Sequence, residues 1–158
     1  MFNQELVAER IGIIQNSVKR LNALAAMPAE QFCASEDTVD IAENRLRRAL
    51  EAFFDLGRHL VVKSGLGVPS DYRSVIEKLK AGQIIPPEFA QKIMGMAGYR
   101  NRLIHEYNKI TPGELYEILC TRLDDLILFC NYIVDYLQKI ENIATTGTKN
   151  STRIPQAD

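Results

Sequence analysis

Apolar residues recur every three or four positions along most of this chain, the spacing of helices with one face in a core and the other in water. Leu6, Ile13, Ile14, Val18, Leu21, Leu24 and Ala25 trace such a stripe through residues 3 to 26, with Lys, Arg, Glu and Gln between them, and Pro28 closes the segment. Beyond Phe32, the run Ser35-Glu36-Asp37-Thr38 offers capping side chains for a second long helix to about Lys63. The core face of that helix is Leu46, Ala49, Leu50, Phe53, Gly57, Leu60 and Val61, which leaves Glu51, Asp55 and His59 on the water side. Gly65, Gly67 and Pro69 break the chain. Ser70 or Asp71 can cap a short helix through Leu79, Gly82 stops it, and Pro86-Pro87 opens the next. Thr111-Pro112-Gly113-Glu114 combines an N-cap, a proline at the first helical position and a glutamate three residues after the cap. The last helix starts there, with Leu115, Leu119, Leu126, Phe129, Ile133, Leu137 and Ile140 as its stripe, and ends near Glu141. From Asn142 onward Thr, Gly, Asn and Ser dominate, which predicts a helical domain over 1–141 and a disordered tail over 142–158. No segment alternates with the period of a strand. The predicted fold is all-α, an antiparallel bundle of four long helices and one short one.

The stretch Tyr99-Arg100-Asn101-Arg102-Leu103-Ile104-His105-Glu106-Tyr107 breaks this pattern. At about 100° per residue, Ile93, Met96, Ala97, Leu103, Ile104 and Tyr107 share a face, and Arg100 falls near its centre. A buried guanidinium without an anionic partner is costly, so a negative group is expected beside it: a carboxylate of this chain, a carboxylate of a second copy, or a phosphate. The planar fork of arginine matches phosphate oxygens well. On an ideal helix Arg100 and His105 lie about 140° apart, whereas Asn101, His105 and Asn108 share a side. Arg100 and His105 reach one phosphate only if the helix borders a groove or a second copy completes the site. A symmetric dimer does both and covers the apolar stripe.

With 158 residues, 46% hydrophobic and 25% charged, the chain is sized for one domain with a real core. Its net charge of −1 removes any bulk electrostatic case for nucleic-acid binding. A local patch remains: Lys92, Arg100, Arg102 and Lys109, with His105, face only Glu106. Ordinary solvated cations explain Lys92 and Lys109 equally well. Cys120 and Cys130 stand about 15 Å apart on one predicted helix, beyond bridging distance, so reduced, buried thiols are expected. No basic region followed by an apolar run opens the chain and no segment is of bilayer length, which predicts a cytoplasmic protein without a membrane partner. Zinc-like ligand spacing and glycine-rich phosphate loops are absent from the sequence, so neither a metal nor a cofactor is expected.

Histidine exchanges a proton near neutral pH, which suits it to act as general base or acid in RNA cleavage. RNA carries its own nucleophile: attack of the ribose 2′-hydroxyl on the adjacent phosphate gives a 2′,3′-cyclic phosphate and a 5′-hydroxyl end without a metal. Arg100 would stabilise the charge on the phosphate oxygens, and Asn101 would orient the imidazole or the phosphate. Taken alone, three such residues occur in many helices by chance. A histidine beside an apolar stripe is more often structural, and a tyrosine such as Tyr107 more often packs its ring into a core.

Arg100, His105 and Tyr107 match a signature of arginine, four residues, histidine, one residue and tyrosine, and here the chain resembles the HepT-like toxin ribonucleases of the HEPN superfamily. The block Glu51-Ala52-Phe53-Phe54-Asp55-Leu56-Gly57-Arg58-His59-Leu60, the turn from Gly82 to Ile85 and the closing apolar helix extend the resemblance from about residue 5 to 140. The resemblance implies an all-helical homodimer with the signature residues lining a cleft between subunits. It implies metal-independent endoribonuclease activity toward cellular RNA, the toxin half of a type VII-like toxin–antitoxin pair. It further implies an MntA-like nucleotidyltransferase antitoxin as partner, transferring AMP onto the signature tyrosine, here Tyr107; the nucleotide then belongs to the partner's reaction. Asp55 matches a frequent acid of the family, with a cleft or interface role standing open beside plain solvation. Two readings from other classes compete: a non-catalytic helical dimer that holds a nucleotidyltransferase or a nucleic acid, with Arg100 in a structural ion pair, and a purely structural dimerisation domain.

Overall fold

In the computed structural model, which describes residues 2–105 and 110–151 with side chains through 146, the apolar stripes become α1 (Gln4–Ala25), α2 (Ala29–Ala34), α3 (Glu36–Lys63), α4 (Tyr72–Ala81), α5 (Pro87–Ile93), α6 (Gly95–Ile104), α7 (Pro112–Thr121) and α8 (Leu123–Ser151). No strand occurs among the described residues. The helix starts follow local chemistry. Asn3 Oδ1 accepts from Leu6 N at 3.1 Å, Ser35 Oγ from Thr38 N at 3.2 Å, and Thr111 Oγ1 from Glu114 N at 3.2 Å. Asp71 and Ser74 form a reciprocal capping box at the start of α4.

The long helices pack as a bundle in which α1 runs antiparallel to both α3 and the α7–α8 segment. Asn3 N donates to His59 Nε2 at 3.0 Å and Arg10 Nε lies 3.3 Å from Asp55 Oδ2, so the start of α1 meets the end of α3. Tyr116 Oη donates to Met27 O at 2.7 Å, setting the start of α7 beside the end of α1. Phe53 meets Phe129 at 4.0 Å between ring centroids, and Ser64 and Tyr136 share a hydroxyl hydrogen bond of 3.2 Å, so α3 and α8 run in the same direction with α1 opposed to both. The core between them holds Ile14, Leu21, Leu46, Leu50, Phe53, Leu60 and Phe129, all fully buried.

Several elements depart from the sequence expectation. The connection after Pro28 is itself helical, because Phe32 buries its whole ring there and α2 is the turn that delivers it. The helix expected to carry the arginine-histidine motif in one piece breaks at Met94, ahead of Gly95 and Gly98, residues that hold a helix weakly. The last helix breaks at Arg122, and α8 continues through Asn142 to Ser151 instead of ending near Glu141. Thr145 and Thr146 each donate to a carbonyl one turn back, on Glu141 and Asn142.

On α3 the buried surface is wider than one stripe. Phe54 is buried as well, since α4 covers a second flank with Tyr72 against its ring, and Leu56 is buried on the other side of the stripe. A methyl group on Gly57 would lie 2.8 Å from Val75 Cγ1, so its missing side chain is what lets α4 approach. Asp55 and His59 do not merely face water, as the spacing suggested: α1 runs along that flank and engages both. Of the cysteines expected to be buried, only Cys130 is, while Cys33 and Cys120 are exposed.

Candidate active site

The site forms where α4 and α6 meet α3. The capping box places Tyr72 as the first residue of α4, and its ring lies 4.7 Å from that of Phe54, tilted by 52°. Arg100, in the second turn of α6, holds its Cζ 4.6 Å from the centroid of the Tyr72 ring. Arg100 is half-buried, and its Nε, shielded from solvent, makes no hydrogen bond among the described residues. No carboxylate of the described residues pairs with it either. A cation over a ring gains about 0.5 to 2 kcal/mol, whereas a desolvated guanidinium loses several. The stack therefore holds the charge in place without neutralising it.

His105 is the C-cap of α6. Its N–H donates to Asn101 O at 3.1 Å, and its backbone, at φ −91° and ψ 119°, has already left the helix. The ideal-helix angle expected between Asn101 and His105 consequently does not apply, because the helix it assumes ends at Ile104. The apolar stripe divides in the same place: Ile93, Met96 and Ala97 are buried, Leu103 is half-buried, and Ile104 is 41% exposed. The imidazole of His105 is exposed. Tyr107, with Glu106, Asn108 and Lys109, lies outside the described residues.

The structure thins the cationic patch read from the sequence. Lys92 Nζ lies 3.0 Å from Asp125 Oδ1, whose residue is only 2% exposed, and Arg122 Nη1 approaches Oδ2 of the same carboxylate at 3.7 Å. Arg102 pairs with Glu114 at 2.8 Å. That hydrogen bond raises the guanidinium's pKa and lowers the carboxyl's. Lys92 and Arg102 are thus engaged in ion pairs, which leaves Arg100 and His105 as the members of the patch without one among the described residues. Asp55, 58% exposed, pairs with Arg10 of α1 and is not brought into contact with either.

Asn101 lines a recess of about 360 Å³ with Arg58, Ser70, Asp71, Tyr72, Arg73 and Ala97. Sequence reasoning passed over Arg58, Tyr72 and Arg73. Arg58 stands in the block from Glu51 to Leu60, which assigns it no role, and the capping signal at Asp71 was the one hint of where Tyr72 would sit. Along α3 the same wall continues to Asp40, Glu43, Asn44 and Arg47, which form a shallow groove with Leu103. Among the described residues, no group of three His, Cys, Asp or Glu side chains is placed to hold a metal, and no helix is long and apolar enough to cross a membrane.

The family described as ribonuclease HepT-like matches residues 14–133 of the chain. A tRNA nuclease HepT of Aphanizomenon flos-aquae is 28% identical over 138 residues, 86% of this chain and 92% of that protein. An mRNA nuclease HepT of Shewanella oneidensis is 22% identical over 129 residues, 82% of this chain and 96% of the other. Among solved structures, the tri-AMPylated HEPN toxin of Shewanella oneidensis in complex with its MNT antitoxin superposes with a TM-score of 0.77 at 22% identity, covering 84% of this chain and 99% of that one. A toxin–antitoxin crystal structure with AMP-PNP gives 0.76 at 21% identity, over 84% and 99% of the two chains. These similarities in structure establish an all-α, HEPN-like fold. With the family match spanning most of its length, the chain belongs to the ribonuclease HepT-like family.

Proposed function

We propose that this protein is the toxin of a type VII-like toxin–antitoxin pair: a metal-independent endoribonuclease acting on cellular RNA in the cytoplasm as a homodimer. The observation that carries the reading is Arg100, half-buried, held over Tyr72 and lacking a carboxylate among the described residues. A phosphate supplies the missing charge. The exposed imidazole at the end of the same helix supplies the proton chemistry.

In this mechanism His105 takes the proton of a ribose 2′-hydroxyl, and the oxygen attacks the neighbouring phosphorus. The bond from phosphorus to the 5′-oxygen breaks, and the departing oxygen takes up a proton from water to become a 5′-hydroxyl, while His105 returns the proton it took to solvent. The other product is a 2′,3′-cyclic phosphate. Arg100 donates to the non-bridging oxygens as their charge grows. A second subunit brings the two groups to bear on one linkage. Tyr107 is the residue modified by the nucleotidyltransferase antitoxin; AMP there adds bulk and negative charge two residues from His105, where it repels an RNA phosphate. The named relatives act on different RNAs, a tRNA and an mRNA, so the substrate proposed here is RNA as a class.

The test is cleavage of RNA by the purified protein in the presence of a chelator. Arg100→Ala and His105→Ala should each lower the rate by about 10²-fold or more, with the dimer intact. Full activity in either variant refutes the assignment. Silence of His105→Ala together with unfolding of Arg100→Ala would instead support the non-catalytic helical module.

A further inference from the structure

Arg58 comes from α3, Arg73 from α4 and Asn101 from α6, yet the three side chains line one recess. Neither Arg58 nor Arg73 belongs to an ion pair among the described residues, and both are exposed. The carboxylate on the rim, Asp71, is committed to the fold: its Oδ1 accepts Ser74 N at 2.7 Å as the cap of α4. Two guanidinium groups and one carboxylate leave the recess positive on a chain whose net charge is −1. Converging cations repel one another, so the arrangement favours an anion between them.

Tyr72 connects this recess to the reacting site. Its ring lines the recess and also lies under the Arg100 guanidinium. Asn101, next to Arg100 in sequence, lines the recess as well. We propose that the recess of Arg58, Arg73 and Asn101 is a second phosphate seat, which takes the RNA phosphate next to the one held by Arg100. The inference rests on the RNA-cleavage reading above and deepens it. Because the Tyr72 ring is already engaged by Phe54 and Arg100, the seat offers no free aromatic platform for a base. It grips the backbone and contributes affinity without reading sequence.

The experiment uses the full-length chain carrying His105→Ala and a single-stranded 2′-O-methyl oligonucleotide, which has no free 2′-hydroxyl to attack, with affinity measured across a salt series. Adding Arg58→Ala or Arg73→Ala should weaken binding severalfold and reduce the salt slope by about 0.7 for each phosphate that is no longer neutralised. Arg58→Lys and Arg73→Lys should restore most of the slope, and Arg20→Ala, an exposed arginine of α1, should change neither quantity. In the active protein the same alanine substitutions should raise KM and spare kcat. Unchanged affinity and slope in both alanine variants overturn the seat, as does loss of antitoxin binding with RNA binding intact, which would make the recess a protein-docking site. Failure of the parent protein both to cleave RNA and to bind the oligonucleotide overturns the ribonuclease reading itself; cleavage that is indifferent to Arg58 and Arg73 overturns the seat alone.

Discussion

Replacing Tyr72 by leucine keeps an apolar side chain against Phe54 but removes the ring under Arg100. The stack is well formed, with the guanidinium carbon 4.6 Å from the ring centroid, inside the roughly 6 Å over which such interactions act. Arg100 is half-buried, which puts the interaction midway between an exposed and a desolvated one, at about 1 kcal/mol. At room temperature that is a factor of about five in the population of the seated guanidinium. Single-turnover RNA cleavage by Tyr72→Leu should therefore slow about fivefold, with little change in KM if Arg100 acts chiefly on the developing charge. Tyr72→Phe keeps the ring, and no hydrogen bond of the Tyr72 hydroxyl occurs among the described residues, so it should cleave at the parent rate. A thermal melt followed by circular dichroism separates loss of positioning from loss of fold. Equal rates for the leucine and tyrosine proteins, or equal impairment of the leucine and phenylalanine variants, would refute the role given to the ring.

Other outcomes follow from the ion pairs and from His59. Lys92→Ala strands the Asp125 carboxylate in the core with only the longer Arg122 interaction; since the lysine itself is largely exposed, the loss should be about 2 kcal/mol in urea unfolding, below the roughly 3–5 kcal/mol of a fully buried pair. His59 is held below its usual pKa by burial and by Lys63, and its neutral Nε2 accepts the Asn3 N–H. In the unfolded chain it takes up a proton near pH 6.5, while in the fold it resists until lower pH. Its contribution to stability is thus complete above that value and is lost as pH falls through the window beneath it. His59→Gln should flatten that part of the stability profile; an unaltered profile counts against the assignment. Asp55→Ala should cost less than about 1 kcal/mol, as an exposed pair does, and leave RNA cleavage unchanged; a collapse of activity would place this acid in the cleft after all.

Local chemistry made the helix starts legible in the sequence. Ser35, Asp71 and Thr111 cap their own helices through bonds spanning three residues, and such signals survive without knowledge of the fold; Asn3 caps α1 in the same way, but sequence reasoning passed over it. The conflict at Arg100 was legible for the same reason, as a cation at an apolar position. Packing between distant segments was not. Phe54 is buried because α4 lies over it, and Tyr72 reaches Arg100 because Gly57 lets α4 approach. The interruptions at Met94 and Arg122 also escaped the periodicity, since a break of one residue barely disturbs an apolar spacing of three to four. At His105 the consequence was larger: angles drawn on a continuous helix assigned it a face, whereas its backbone has already left the helix.

The ion pair between Lys92 and Asp125 ties those two interruptions together. Lys92 stands just before the interruption between α5 and α6, and Asp125 just after the one between α7 and α8. One ion pair thus bridges both junctions, so the segment that leads into the Arg100 helix is tied to the start of the carboxy-terminal helix. Substitutions along α8, remote from any reacting atom, can misdirect the guanidinium while the bundle stays folded.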